Sequence, residues 1–180
     1  CSNMINFDKN KYLPYGKQKI TRSDISEVVR TLKSNFLTQG PKVPQFEENL
    51  SKIVEAKYAV AVNSATSALH IACLALDLKK GDRLWTSPIS FVASSNCALY
   101  CGAIVDFVDI NPRSGLIDEN LLEKKLEIAA LKKELPKVIV PVHLAGTSCN
   151  MEKIYKLSNK YNFKIIEDAS HALGGEYKNQ

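Results

Sequence analysis

No run in these 180 residues is long and apolar enough to span a bilayer, and no charged, then apolar, then small-residue leader opens the chain. Membrane association is therefore not expected. Neither a G-x-G-x-x-G stretch nor a Walker sequence occurs, which argues against a dinucleotide or ATP site. The five cysteines, Cys1, Cys73, Cys97, Cys101 and Cys149, have no second Cys or His pair at zinc spacing, so no metal is expected. Their odd number, scattered through apolar helical text, fits reduced thiols in a cytoplasmic setting. Cys97 and Cys101 stand one helical turn apart and read as small buried hydrophobes. Internal repeats and low-complexity segments are also absent. The net charge of +5 is modest, and its sources (Lys79-Lys80, Lys124-Lys125, Lys132-Lys133) fall beside acids or on helix surfaces. That pattern describes a solvated face rather than a nucleic-acid surface.

What is present is an ordinary globular composition, 45% apolar and 24% charged, in a length that suits one domain or a little more. Cys1-Ser2-Asn3 ahead of Met4 reads as a vector-derived remnant. Residues 4–56 read as an irregular arm followed by two amphipathic helices. Thr21-Arg22-Ser23-Asp24 opens the first, with Ile25, Val28, Val29 and Leu32 on one face. Gly40-Pro41 separates it from the second, which carries Phe46, Leu50, Ile53 and Val54. From residue 57 the rhythm changes. Strands are expected at 58–62, 83–86, 103–108, 137–142 and 163–166, and helices at 64–76, 91–100, 119–135 and 151–162. Such alternation implies an α/β fold with a largely parallel sheet and helices on both faces. The closing stretch from Leu173 to Gln180 is loop text with no helix behind it, so a truncated domain is expected.

Chemistry would sit where parallel strands end. The strand at 163–166 ends in Glu167 and Asp168, which either cap the next turn or face a ligand. Asn63-Ser64-Ala65-Thr66-Ser67 joins the first of these strands to its helix. Small and hydroxyl residues there leave backbone N–H groups at a positive helix end, suited to phosphate, although they are also ordinary N-caps. Phe91 comes after the second strand and could either lie on an aromatic ligand or pack in the core. His143 and His171 are candidates for hydrogen bonding at the same sheet edge, whereas His70, inside a helix, reads as a satisfied neighbour. A phosphate-type helix start, an aromatic ring and an acid at the ends of different strands together match the needs of pyridoxal phosphate, whose protonated ring is an electron sink.

Five motifs carry a resemblance: Phe36-Leu37-Thr38-Gln39-Gly40-Pro41, Asn63-Ser64-Ala65-Thr66-Ser67-Ala68-Leu69-His70, Ser87-Pro88-Ile89-Ser90-Phe91-Val92-Ala93-Ser94, Pro141-Val142-His143-Leu144-Ala145-Gly146 and Glu167-Asp168-Ala169-Ser170-His171-Ala172. In this order and spacing the chain resembles the first half of an aspartate-aminotransferase-like (fold type I) pyridoxal-phosphate enzyme. Within that fold it is similar to the sugar aminotransferases of the DegT/DnrJ/EryC1/StrS family, nearest the branch that aminates C4 of a UDP-linked 4-keto-6-deoxy-N-acetylhexosamine on the way to pseudaminic acid. The resemblance implies that residues 57–180 form the N-terminal part of a cofactor-binding large domain. It implies Ala65 and Thr66 at the cofactor phosphate, Phe91 stacked on the pyridine, Asp168 at the pyridine nitrogen and His171 near the phenolic oxygen, where many relatives have Gln. Gln39 and His143 are its candidates for substrate contacts.

The family's Schiff-base lysine lies in a stretch after the Asp motif that is not present here, so the resemblance places that lysine beyond Gln180. Lys178 is the one lysine that follows Asp168. No catalytic residue is therefore assigned within these residues, and transamination by this chain alone is not expected. For the full protein the resemblance implies a ping-pong cycle on a nucleotide sugar with glutamate as amino donor, and a homodimer. Three other readings stay open: a lysine-free sugar dehydratase of the same family, a non-catalytic binding relative, and a doubly wound nucleotide-binding domain that uses no pyridoxal phosphate.

Overall fold

The computed structural model describes residues 17–178. Residues 1–3 and the start of the arm lie outside them. So does Gln180, the position beyond which the Schiff-base lysine is expected. The chain forms two compact units that divide between Gln45 and Phe46. In the first, helix α1 (Arg22–Leu32) begins with a reciprocal cap: the Thr21 hydroxyl accepts the Asp24 amide, and Asp24 accepts the Thr21 amide at 2.7 Å. The apolar stripe read from the sequence is present on α1, yet Ile25, Val28, Val29 and Leu32 are all exposed. Helix α2 (Lys42–Ile53) follows the Gly40-Pro41 turn, in which Gln39 adopts a left-handed φ of 54°.

The second unit contains helix α3 (Ala65–Ala75), strand β1 (Arg83–Thr86), helix α4 (Ala93–Tyr100), strand β2 (Ile104–Phe107), helix α5 (Glu119–Lys132), strand β3 (Val138–Val140), helix α6 (Met151–Tyr161) and strand β4 (Lys164–Ile165). All pairings are parallel, in the order β2-β1-β3-β4, with Leu84 opposite both Val105 and Val138. Side chains alternate across the sheet, as the two-residue period of a strand requires. Leu84, Val138 and Val140 pack with Leu69 and Cys73 of α3 and with Ala93, Cys97 and Ala98 of α4. Their neighbours Trp85 and Ile139 pack with Leu122 and Leu126 of α5 and Ile154 and Leu157 of α6. Helices therefore cover both faces, and the central strands are apolar on both sides because neither face meets water. Each fully buried Leu or Ile contributes about 1.5–3 kcal/mol.

One expected strand is absent. Residues 58–62 are not part of a strand: Tyr58 and Val60 are 76% and 75% exposed, and the Ala61 N–H donates to the Glu47 carboxylate at 2.8 Å instead of to a neighbouring strand. A strand needs a partner as well as apolar residues, and none lies beside them among the described residues. The expected helix at 91–100 begins two residues later, at Ala93, leaving Phe91 ahead of its first turn.

Candidate functional site

The carboxyl ends of β1, β3 and β4 and the starts of α3 and α4 surround a cavity of about 330 Å³. Six of the residues singled out in the sequence line it: Ala65, Thr66, Phe91, His143, Asp168 and His171. They come from four separate motifs but converge because each follows a parallel strand or opens the next helix. Gln39 belongs to the N-terminal unit and is not among the lining residues.

Helix α3 presents its amino end to this cavity. Ser64 is the N-cap, in extended conformation, and its hydroxyl accepts the Ser67 amide at 3.2 Å. The Ser67 hydroxyl in turn donates to Asn63 Oδ1 at 2.7 Å, which pins the entry loop. With Ser67 served by the cap, the amides of Ala65 and Thr66 meet no acceptor among the described residues. No acidic side chain occupies the first turn, so the positive end of the helix is uncompensated and suited to an anion.

Phe91 is 73% exposed and lines the cavity wall, so it is not a core residue. Its ring offers a flat apolar face. Asp168 is the opposite case, a buried carboxylate. Its backbone is tied to the end of β3: the Asp168 amide donates to the Pro141 carbonyl at 2.9 Å, and the His143 amide donates to the Asp168 carbonyl at 3.0 Å. Its side chain is held twice more. The Ser94 hydroxyl, at the start of α4, donates to Oδ2 at 2.6 Å, and the Ser170 hydroxyl donates to Oδ1 at 2.6 Å. The Ser170 amide also reaches Oδ1, at 3.3 Å. The capping reading of Asp168 thus holds locally, through Ser170, while the same group faces the cavity.

Glu167, one residue earlier, serves a different partner. It is half exposed, and its Oε2 lies 2.9 Å from His143 Nε2. The imidazole is buried, and its Nδ1 accepts the Cys149 amide at 3.1 Å. The Cys149 side chain, and after it Glu167, pull the His143 pKa upward, toward about 9, against the amide that already occupies Nδ1. His171 lines the cavity from an exposed position in the loop after Asp168. His70 stays apart, edge-on to Tyr100 with ring centroids 5.3 Å apart.

Ser94 and Ser170 are the residues that sequence reading missed. Ser170 could have been found, since a hydroxyl two residues after an Asp commonly closes a local turn. Ser94 had no comparable signal, being 74 residues from its partner. Among the described residues no helix is long and apolar enough to cross a membrane.

The cavity joins an anion-compatible helix end, an exposed aromatic face and a buried, oriented carboxylate. These are the groups that a phosphorylated, basic heteroaromatic ring requires. Comparison with known proteins points the same way. The model of the DegT/DnrJ/EryC1/StrS aminotransferase family matches residues 18–180. The UDP-4-amino-4,6-dideoxy-N-acetyl-beta-L-altrosamine transaminase of Campylobacter jejuni serotype O:2 is 45% identical over 169 residues, which is 93% of this chain and 43% of that protein. Among solved structures, Helicobacter pylori PseC, an aminotransferase involved in the biosynthesis of pseudoaminic acid, superposes with a TM-score of 0.86 at 38% identity, over 94% of this chain and 44% of its own. The putative sugar aminotransferase Spr1654 of Streptococcus pneumoniae in its PLP form gives 0.83 at 31% identity, over 93% of this chain and 45% of its own; a PMP form of that protein is also similar. The chain spans less than half the length of these relatives. Enzymes of this family bind pyridoxal phosphate, and the parallel α/β architecture is that of their cofactor-binding large domain. By matched residues, by fold and by the chemistry gathered at its sheet edge, this chain belongs to the DegT/DnrJ/EryC1/StrS aminotransferase family.

Proposed function

We propose that this chain supplies the cofactor-binding groups of a pyridoxal-phosphate-dependent nucleotide-sugar aminotransferase. The observation that carries the reading is the cavity shared by the free end of α3, Phe91 and Asp168. The amides of Ala65 and Thr66 bind the phosphate at the positive helix end. Phe91 lies against the ring and excludes water from one face. Asp168, held by Ser94 and Ser170, orients the ring through its nitrogen and keeps a proton there. His171 donates toward the phenolic oxygen, and His143 contributes to substrate contacts. When bound, the cofactor supplies an electron sink for carbanion chemistry at the amino-bearing carbon.

The substrate we propose is a UDP-linked 4-keto-6-deoxy-N-acetylhexosamine, aminated at C4 with glutamate as donor. The name of the Campylobacter relative supports this choice of sugar class. Covalent anchoring of the cofactor is assigned to a lysine beyond Gln180, outside these 180 residues. Lys178, the one lysine after Asp168, pairs with Glu152 and does not line the cavity. This chain by itself is therefore expected to bind the cofactor without transaminating. We further propose a cytoplasmic homodimer, for which the exposed apolar stripe of α1 is the supporting feature.

The test uses pyridoxamine 5′-phosphate, which needs no lysine. Titration followed by calorimetry should show saturable binding, competed by inorganic phosphate and weakened at least ten-fold in Asp168→Asn, as expected for loss of a charge-assisted hydrogen bond. Binding that is indifferent to both phosphate and Asp168 would remove the assignment. For activity, a chain of the relatives' length given glutamate and the 4-keto sugar should release 2-oxoglutarate; a sugar turned over without it would exclude this donor.

A further inference from the structure

The hydrogen bonds around Asp168 distinguish its two oxygens. A carboxylate oxygen offers about two lone-pair sites. At Oδ1 both are occupied, by the Ser170 hydroxyl at 2.6 Å and the Ser170 amide at 3.3 Å. At Oδ2 one is occupied, by the Ser94 hydroxyl at 2.6 Å, and the other meets no donor among the described residues. We infer that Oδ2 is the oxygen that receives the ring nitrogen, and that Ser94 is a positioning residue which decides where the shared proton resides. This inference rests on the cofactor reading above and goes beyond it.

The direction of the hydroxyl chain follows from proton counting. The single Ser94 hydroxyl proton points to Oδ2, which accepts it. Ser90 Oγ lies 2.6 Å from Ser94 Oγ, and with the Ser94 proton committed, Ser90 must be the donor of that pair. Ser90 lines the cavity and Ser94 is buried behind it, so a directed relay runs Ser90 to Ser94 to Asp168. Each member sharpens the next, because a hydroxyl that accepts a hydrogen bond donates more strongly. The location of Ser94 makes this role possible. It stands in the first turn of α4, a helix whose N-cap, Val92, offers no side-chain cap, and its hydroxyl is spent on Asp168 instead of on a backbone amide.

The consequence concerns a proton and not a covalent bond. The Ser94 hydroxyl competes with any proton for the lone pairs of Oδ2. The proton between the ring nitrogen and Oδ2 then stays on nitrogen, and the ring stays cationic. Without Ser94, no hydroxyl competes for Oδ2 and the same proton moves toward oxygen, leaving a neutral ring beside a neutral acid. No other reactant is involved.

The experiment binds pyridoxamine 5′-phosphate, labelled with 15N in the ring, to the full chain, and reads the nitrogen chemical shift together with Kd. The original chain should show a pyridinium signal. Ser94→Ala should move that signal toward neutral pyridine and weaken binding about ten-fold or more. Ser94→Thr, which keeps the hydroxyl, should restore both. Should Ser94→Ala fail to fold, Ser90→Ala is expected to move the signal the same way by a smaller amount, and an unmoved signal there would overturn the relay. A weaker Kd with the nitrogen signal unchanged would reduce Ser94 to a packing role and overturn the inference. Binding by the original chain with a neutral ring nitrogen would overturn it while leaving the phosphate site standing, whereas no binding at all would overturn the cofactor reading and this inference together.

Discussion

The amide of Cys149 donates to Nδ1 of His143 across 3.1 Å. A nitrogen that accepts an N–H carries no proton of its own, so this contact selects the neutral Nε2–H tautomer, whose proton then points at Glu167 Oε2, 2.9 Å away. The Cys149 side chain and Glu167 pull the other way, toward a pKa of about 9 from an ordinary 6.5. The Cys149 thiol, however, already donates to the Val142 carbonyl at 3.2 Å, so it cannot hold a second imidazole proton as Glu167 can hold the first. The amide decides the matter. At pH 7.5 two-bond nitrogen–proton NMR should show the neutral Nε2–H tautomer for His143, in the original chain and in Glu167→Gln.

The same reading fixes a pH dependence. Were the charged ring held to about 9, it would contribute stability fully present below 6.5 and lost as pH rises through 9. With a neutral ring, no such loss occurs. Urea melts between pH 7 and 9 should therefore give a flat free energy from this group. A decline across that window, abolished in His143→Gln, would show that the imidazolium prevails.

The start of α3 offers a second test. Ser64→Ala removes the acceptor of the Ser67 amide and should cost about 1 kcal/mol by urea denaturation. Its effect on pyridoxamine 5′-phosphate should exceed that of the cap lost from α5 in Asp118→Ala, since α3, unlike α5, opens on the cavity. Equal effects on ligand affinity would count against a phosphate site there.

How far the fold could be read from the sequence is shown by two strands. Residues 83–86 were expected as a strand and form β1, because Leu84 and Trp85 are apolar on both faces and the next turn follows at Pro88. Residues 58–62 look equally β-forming but are not a strand. Local pattern states what a strand could bury, and only tertiary pairing supplies the neighbour. The site divides in the same way. Ala65, Thr66, Phe91 and Asp168 were legible as strand-end and helix-start residues, and the cavity gathers them. The Ser94 contact to Asp168 was not, because nothing local in a hydroxyl near a helix start says which distant carboxylate it meets.

Helix α5 separates packing from composition. Leu126 is fully buried against Trp85 and Ile139, while Leu131, five residues on, is 87% exposed. Leu126→Ala should cost about 2–5 kcal/mol, through lost burial and the cavity left behind. Leu131→Ala should lie within about 0.5 kcal/mol of the original. Chemical denaturation with unchanged m-values checks both, and comparable losses at the two positions would mean that Leu131 is covered in solution.

The helix ends give the last test. Lys133 closes α5 at φ 57° and Asn162 closes α6 at φ 57°, both in the left-handed region. A side chain with Cβ is strained there, and glycine is not, but Asn tolerates this conformation better than Lys because its short amide can bond locally. Lys133→Gly should therefore stabilise the chain, by about 1 kcal/mol less the extra entropy that glycine adds to the unfolded state. Asn162→Gly should gain less or nothing. Thermal and urea melts of the two variants read the difference directly. If Lys133→Gly lost more stability than Asn162→Gly, the Lys133 side chain would be contributing a contact that outweighs its backbone strain, and the end of α5 would be held by that side chain and not by its cap.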